Sequence, residues 1–433
     1  MRIHPRTFVA AACTLALAAV FGAVPSAFAA PAAASLGHPG PGSATGPGWV
    51  TTWAASPQAP TPLFPNPGNA GFSNQTVRNI VFTSVAGNQI RIRLSNAFGK
   101  RAVTVGRVSV GIPLTGAQLV PGTTHPVTFG GQASVTMPLG GEVVSDPVPL
   151  KVAPLEQLAV SLYLPVPTSR ATYHFTAQQT GYIASGDQAS ATAGTAYTTT
   201  DTSWYFLDGV LAHNTAAPGT VVAFGDSITD GFQSQTGANA RWPNYLARRL
   251  DAAMGASAPA VADEGISGNR VLHNSPCFGV NALARYQRDV LSQPGVKDVI
   301  VLEGINDIGF SATPNTGCSV PNTNVTAAQI EAGYRQMISM AHTAGLKIFG
   351  ATLTPFKGAG YWAPAGEAKR EAVNNWIRTS HAFDGVIDFA KAVQDRFNPL
   401  YINPAYNSGD NLHPNDAGYE AMANAINLAL LGS

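Results

Sequence analysis

The stretch Val221-Val-Ala-Phe-Gly-Asp-Ser-Ile-Thr-Asp-Gly231 decides how the rest of the chain is read. An apolar run leads into a turn of small and polar residues, and a segment able to open a helix follows at 241–251. A buried strand that delivers its next residues to a sheet edge has this pattern. Open α/β sheets bind ligands just beyond the carboxyl ends of their strands, and Ser227 falls at such an end. Gly-Asp-Ser is a common tripeptide, and in isolation Ser227 reads as a turn serine capping a helix. Its meaning comes from what accompanies it.

Downstream, apolar strand candidates at 220–224, 258–263, 298–302, 347–353 and 386–389 alternate with helix-length segments near 241–254, 281–292, 326–344, 365–380 and 415–431. Such alternation implies right-handed βαβ units and a parallel sheet covered on both faces. Five strands of this kind predict an α/β, flavodoxin-like three-layer domain over 219–433. Gly345 supplies a helix stop, and Pro414 suits the first turn of the last helix. Upstream, 49–212 reads differently. Ile90-Arg-Ile-Arg-Leu94 alternates strictly, and Val103/Val105, Val108/Val110 and Leu158/Val160/Leu162/Leu164 keep the period of two. Gly, Pro, Asn and Thr clusters separate these runs, which predicts an all-β sandwich or jelly-roll domain. Residues 185–200, rich in Ala, Ser, Thr and Gly, are expected to form an exposed loop.

Composition bounds the function. A chain of 433 residues accommodates two domains, and 11% charged residues with a net charge of +1 offer nothing for nucleic acid or another polyanion. Arg2 and Arg6 precede an apolar run at 8–24, and Ala27-Phe-Ala29 closes it in the pattern of a signal-peptidase site. Residues 1–29 are therefore expected to be a signal peptide cleaved near Ala29, with secretion of the remainder. The alternative is an N-terminal membrane anchor, against which the short, Ala-rich core counts. Cys13 lies inside the run, which disfavours a lipoprotein anchor. Residues 30–48 form a Pro/Gly/Ala linker. No later stretch is long and apolar enough for stable membrane insertion. Removal of the signal leaves Cys277 and Cys318, which in an exported protein suggests one disulfide, with two free buried thiols as the other reading.

Four short motifs follow the strand ends of the second half: Gly225-Asp-Ser-Ile-Thr-Asp-Gly231, Gly265-Ile-Ser-Gly-Asn-Arg270, Gly304-Ile-Asn-Asp307 and Asp410-Asn-Leu-His-Pro414. In this order the set resembles the GDSL or SGNH hydrolase superfamily, over about residues 219–433. A serine hydroxyl is a poor nucleophile until a base takes its proton, and a neutral imidazole suits that task near pH 7. Ser227 is thus assigned as nucleophile and His413 as base. Asp410, three residues before His413 on a turn, can hold the imidazole tautomer. The resemblance implies an oxyanion hole built from the backbone N–H groups of Ser227 and Gly268 and the side-chain amide of Asn306. The missing Cβ at Gly268 is expected to let the backbone approach substrate closely. Asp226, Asp230 and Asp307 read as loop residues that satisfy backbone donors. Arg270 fits either a substrate-facing cation or a surface residue. Tyr361, Trp362, Tyr401 and Tyr406 fit an aromatic wall for substrate, or equally core packing. With the motifs as reference, a Cys277–Cys318 bridge would tie together two loops flanking the oxyanion hole.

Other chemistries find no support in the chain. There is no Gly-x-Ser-x-Gly elbow, no His-Glu-x-x-His or Cys/His cluster, and no phosphate loop, so no cofactor and no metal are expected. A β-rich region ahead of a GDSL-type domain, with Ser-Gly-Asn-Arg as its second block, is similar to secreted xylan-esterase-like carbohydrate esterases. That similarity implies short acyl, chiefly acetyl, esters of small sugars or polysaccharides as substrate. A lipase, phospholipase or arylesterase of the same superfamily is the alternative, followed by acyl transfer to a sugar and by a non-catalytic carbohydrate-binding protein. The oligomeric state is not encoded in any pattern found.

Overall fold

In the computed structural model, which describes residues 46–432, the five apolar runs of the second half lie side by side in one parallel sheet. Numbered within this sheet, they are β1 (Thr220–Gly225), β2 (Ala260–Gly265), β3 (Val296–Leu302), β4 (Lys347–Ala351) and β5 (Gly385–Ile387), in the order β2-β1-β3-β4-β5. This is the flavodoxin-like order, whose switch point lies between β1 and β3. Every residue of β1 is buried, which explains why it reads as a continuous apolar run without alternation. Register is parallel throughout, with Phe224 opposite Glu264 on one side and Val301 on the other. The turns after β1, β2 and β3 are thereby delivered to one edge.

The helices cover the two faces. They are α1 (Ser227–Asp230), α2 (Trp242–Met254), α3 (Ala282–Tyr286), α4 (Ile305–Gly309), α5 (Ala327–Thr343), α6 (Pro364–Thr379), α7 (Phe389–Val393) and α8 (Asp416–Asn424). Helix α2 packs on α8 and α8 on α7, while α5 packs on α3 and α6, giving the three layers. In α2 the buried Trp242, Leu246, Ala247 and Leu250 form one stripe. In α5, Thr326 and Gln329 form a capping box that starts the helix. Two helices depart from expectation. The segment expected at 281–292 is α-helical only to Tyr286 and continues as a π-helical turn over Gln287–Leu291. The last helix stops at Asn424 because Arg249 donates to the carbonyls of Ala423 and Ile426, and Asn427 caps a separate turn.

The region before β1 is built from antiparallel strands. One sheet has six, in the order Tyr197–Asp201, Gly181–Ser185, Gln75–Phe82, Gln157–Leu164, Arg107–Gly111 and His125–Val127. A second has four, in the order Trp49–Ala54, Leu207–His213, Ile90–Ser95 and Glu142–Val144. The alternating residues share one core: Ile90, Ile92 and Leu94 from one sheet, Leu158, Val160 and Leu162 from the other. The expected loop at 185–200 is corrected in part. Its end is the strand Tyr197–Asp201, Ala189 is fully buried, and Tyr197 covers the buried Arg78 guanidinium at 4.2 Å.

The two regions share more than a linker, and the described residues fall in one compact unit. Val50, Ala54, Val85 and Ala212, all from the antiparallel region, belong to the α/β core. Thr51 N–H donates to Thr220 Oγ1 at 3.0 Å, and Val261 N–H to Ser84 Oγ at 2.9 Å. Beside them, Arg93 pairs with Asp208 at 3.0 Å, and Gln293 links Arg93 to Glu264. The signal peptide expected at 1–29, and the linker expected at 30–48 up to residue 45, lie outside the described residues. Among the described residues no helix is long and apolar enough to cross a membrane.

Candidate active site

After β1 the chain turns at Asp226, whose Oδ1 accepts the Ile228 N–H at 3.0 Å and so caps α1. Ser227 is the first residue of that helix, with its side chain at the sheet edge and 5% exposed. The cap is Asp226, so a helix start does lie here, but Ser227 does not make it. Burial pushes the Asp226 carboxyl up to about 7, with Asp307 and Asp230 nearby adding to the shift.

The turn after β2 carries Gly268 at φ +78°, in the left-handed region that favours glycine. A Cβ there would stand 2.3 Å from Phe278 Cγ. Backbone handedness and the Phe278 ring each require glycine at this position. The turn after β3 passes through Gly304 at φ +124° into α4, where Asn306 and Asp307 sit buried. Asp307 accepts the N–H groups of Val271 at 2.7 Å and Leu272 at 3.1 Å, joining the third motif to the second. Burial raises its carboxyl to about 6, against the pull of those two donors.

The fourth motif is a turn ordered by its own side chains. Asn407 Oδ1 accepts the N–H of Gly409 and Asn411, and Asn411 adopts φ +61°. Asp410 Oδ1 accepts the N–H of Leu412 at 2.9 Å and of His413 at 2.8 Å. This folds the carboxylate back so that Oδ2 stands 2.6 Å from His413 Nδ1. Nε2 of the same ring is 2.8 Å from Ser227 Oγ. Burial would raise the Asp410 carboxyl, but the hydrogen bond and charge of His413, with the two backbone donors, hold it well below the usual range. An ionised carboxylate only accepts, so Nδ1 carries a hydrogen and Nε2 is the ring atom that meets the serine hydroxyl. Phe232 packs edge-on against the imidazole at 4.8 Å, fixing its plane.

The three donors expected to form an oxyanion hole have few partners within the chain. Among the described residues, neither Ser227 N–H nor Gly268 N–H donates to another group of the chain. Asn306 Nδ2 gives one hydrogen to Asn269 O at 3.0 Å, and its Oδ1 accepts from Tyr361 Oη at 3.2 Å, which sets the amide's orientation. The second Nδ2 hydrogen is left over. Tyr361 thus reaches the site as a support for Asn306. Trp362 Nε1 donates to Glu367 at 3.2 Å. Tyr401 lies under the Lys357 ammonium, which also covers Trp362.

Arg270 is not at the surface: it is 2% exposed. Its guanidinium donates to the carbonyls of Asn274, Ser319, Val320 and Pro321. It gathers the two loops that the Cys277–Cys318 disulfide also joins, with Cα atoms 5.2 Å apart. Burial lowers its pKa from the arginine value.

Asp226, Asp230 and Asp307 each accept a backbone N–H, as their loop positions led us to expect. Sequence reading missed Arg285. This fully buried side chain donates to Gly225 O at 2.8 Å, Glu264 O at 2.7 Å and Asn269 Oδ1 at 2.9 Å, binding the ends of β1 and β2 to the second motif. Its only local signal is Asp289, four residues on, paired at 3.1 Å. Phe278 and His174 were missed as well, since nothing in their local pattern marks them.

Residues 223–421 match the model of the GDSL-like lipase/acylhydrolase family. Among solved structures, the chain is similar to an acetyl xylan esterase from Geobacillus stearothermophilus, with 23% identity, 48% of this chain and 93% of that one covered, and a TM-score of 0.38. It is similar to an α/β hydrolase from the metagenome of Lake Arreo, Spain, with 22% identity, 49% and 94% covered, and a TM-score of 0.38. It is also similar to a GDSL-like lipase from Bacteroides thetaiotaomicron, with 20% identity, 49% and 88% covered, and a TM-score of 0.35. No curated protein matches the chain.

Proposed function

Since residues 223–421 belong to the GDSL-like lipase/acylhydrolase family, and the protein is accordingly a carboxylic ester hydrolase, we propose that it works through Ser227, His413 and Asp410. The observation that carries this reading is the unbroken contact from Asp410 through both ring nitrogens of His413 to Ser227 Oγ, at 2.6 and 2.8 Å. In the proposed reaction His413 Nε2 takes the hydroxyl proton as Ser227 Oγ bonds to the ester carbonyl carbon. The carbonyl oxygen becomes an oxyanion held by Ser227 N–H, Gly268 N–H and the remaining Asn306 Nδ2 hydrogen. Each such donor is worth roughly 3–4 kcal/mol of barrier. His413 then returns its proton to the leaving alkoxide, and the C–O bond breaks to leave acyl-Ser227 and the alcohol. Water, deprotonated by the same ring, repeats the addition, and the acid departs as Ser227 regains its proton.

Short acyl esters of carbohydrates are the proposed substrate class. The support is the similarity of sequence organisation, a β-rich region preceding a domain whose second motif reads Ser267-Gly-Asn-Arg270. Export is proposed too, supported by the residue pattern of 1–29 and consistent with a disulfide. Residues 49–212 are proposed to be a sandwich-type domain that packs on the hydrolase domain, 219–433, and shapes its cleft. Hydrolysis of p-nitrophenyl acetate by the wild type and by Ser227→Ala tests the core reading. Loss of at least about 10³-fold in kcat is expected, and a variant as active as the wild type would refute it. Acetylated xylan, nitrophenyl esters of increasing chain length and phospholipids, assayed in parallel, separate the carbohydrate esterase from the lipase and arylesterase readings.

A further inference from the structure

The antiparallel region sends one side chain into the frame of the candidate site that the reaction above does not use. His174, on the strand Tyr173–His174, is 3% exposed. Its Nδ1 stands 3.0 Å from Ser56 O, and its Nε2 stands 3.0 Å from Asp230 Oδ1. A carbonyl oxygen cannot donate, so Nδ1 carries a hydrogen. Asp230 Oδ2 accepts both the N–H and the O–H of Ser267, at 2.9 and 2.6 Å. Arg241 Nη2 lies 3.8 Å from Oδ1. Burial alone would raise the Asp230 carboxyl, yet the charge and hydrogen bond of His174, with Arg241 and Ser267, hold it below its ordinary value. The ring thus bridges Ser56 and Asp230, one nitrogen to each. Asp263 is the other carboxylate of this cluster, 4.0 Å from Arg241 Nε, and the Trp204 ring lies 5.4 Å from the imidazole.

Asp230 ends the single helical turn that Ser227 begins, and Ser267 immediately precedes Gly268. The two segments touch backbone to backbone, since a Cβ on Gly265 would stand 2.2 Å from Asp230 N. Asp230 is therefore the link between the helix that carries one oxyanion donor and the turn that carries the other. We propose that His174 is a positioning residue for ester hydrolysis: its ring holds Asp230 in place, and Asp230 fixes the Gly268 N–H relative to the Ser227 N–H. The inference rests on the catalytic reading above, and it gives the antiparallel region a direct part in the oxyanion hole.

Two substitutions divide the two contacts of the ring. In His174→Gln the amide nitrogen can reach the place of Nε2 and still donate to Asp230. In His174→Asn it reaches only the place of Nδ1, keeping Ser56 and losing Asp230. Both are assayed with p-nitrophenyl acetate, alongside hydrogen–deuterium exchange of residues 266–269 and the thermal midpoint. The expected result for His174→Asn is a kcat lower by about tenfold to a hundredfold with KM within about threefold, and faster exchange in 266–269. For His174→Gln, kcat is expected within about threefold of the wild type, with exchange unchanged. Equal kcat in the two variants, or unchanged exchange in His174→Asn, would overturn the proposal. If wild type proves inactive on every ester, the catalytic reading falls, while the exchange arm still decides whether His174 orders the turn. Should His174→Asn fail to fold, Ser267→Ala takes its place. It removes only the hydroxyl from Asp230, and unchanged kcat and exchange in it would count against the link.

Discussion

Replacing Asp410 by asparagine exchanges one oxygen for an NH2 group, and on this geometry it reverses the proton on His413. Asp410 Oδ1 accepts from Leu412 N–H, His413 N–H and Ser408 Oγ, at 2.9, 2.8 and 3.2 Å. In Asp410→Asn those three donors require the amide oxygen to stay where Oδ1 is, because a flipped NH2 group would face them. The amide nitrogen then takes the place of Oδ2, 2.6 Å from His413 Nδ1, and can only donate. Nδ1 must become the acceptor, so Nε2 carries the hydrogen and cannot receive the proton of Ser227. A ring held in the wrong tautomer costs about 10⁴-fold in kcat, or about 5.5 kcal/mol of barrier. Asp410→Ala leaves the ring free to choose its tautomer and is expected to retain more activity than Asp410→Asn. The assay is kcat on p-nitrophenyl acetate, with Ser227→Ala as the zero and thermal midpoints to verify folding. An Asp410→Asn variant within tenfold of the wild type, or more active than Asp410→Ala, would refute the tautomer argument.

Three further outcomes follow from the same geometry. Gly268→Ala places a methyl against the Phe278 ring, itself stacked on Phe310 and tilted against Phe64, on a backbone at φ +78°. Left-handed strain and overpacking together should destabilise by about 2–5 kcal/mol, read as a lower denaturation midpoint with a reduced kcat; an unchanged midpoint would contradict this. Cys277→Ser/Cys318→Ser opens a bridge with a sequence separation of 41 and should cost roughly 2–4 kcal/mol in urea denaturation; equal midpoints would show that the buried Arg270 clamp suffices. Stability should fall as pH rises from about 4 to about 7. Asp226 and Asp307, raised to about 7 and about 6 by burial, bind more protons folded than unfolded in that window, so the linkage slope is negative there. Calorimetric midpoints across the window should show the decline, less steep in Asp226→Asn, and an identical slope in the variant would exclude Asp226 as a source.

Legibility in the sequence followed the range of the interaction. The five parallel strands and their order of motifs were readable because a strand buried on both faces needs a continuous apolar run, and a turn at its end needs small residues. The strands at 90–95 and 157–164 were readable for the matching reason, a period of two with one face in a core. Short-range capping was partly visible: Asp226 caps α1, but the four-residue helix it starts is too short to show a periodicity. Side chains that act across the fold left no local trace. Arg270 fitted a substrate-facing cation or a surface residue equally, and it is spent on carbonyls about fifty residues away. Phe278, whose ring a Cβ at Gly268 would meet, had no part in that reading.

By itself the sequence determined the α/β order, the antiparallel region ahead of it, and the four turns on which the proposed chemistry depends. Those features rest on neighbours within a turn or a strand, where residue type and spacing carry the physics. Only the tertiary structure decided that an imidazole spans Asp410 and Ser227, that Arg285 ties the strand ends together, and that His174 meets Asp230, which holds Ser267. Each of these joins groups distant along the chain or fixes which ring nitrogen holds a proton. Such pairings depend on buried hydrogen-bond partners that exist only once the two regions have packed.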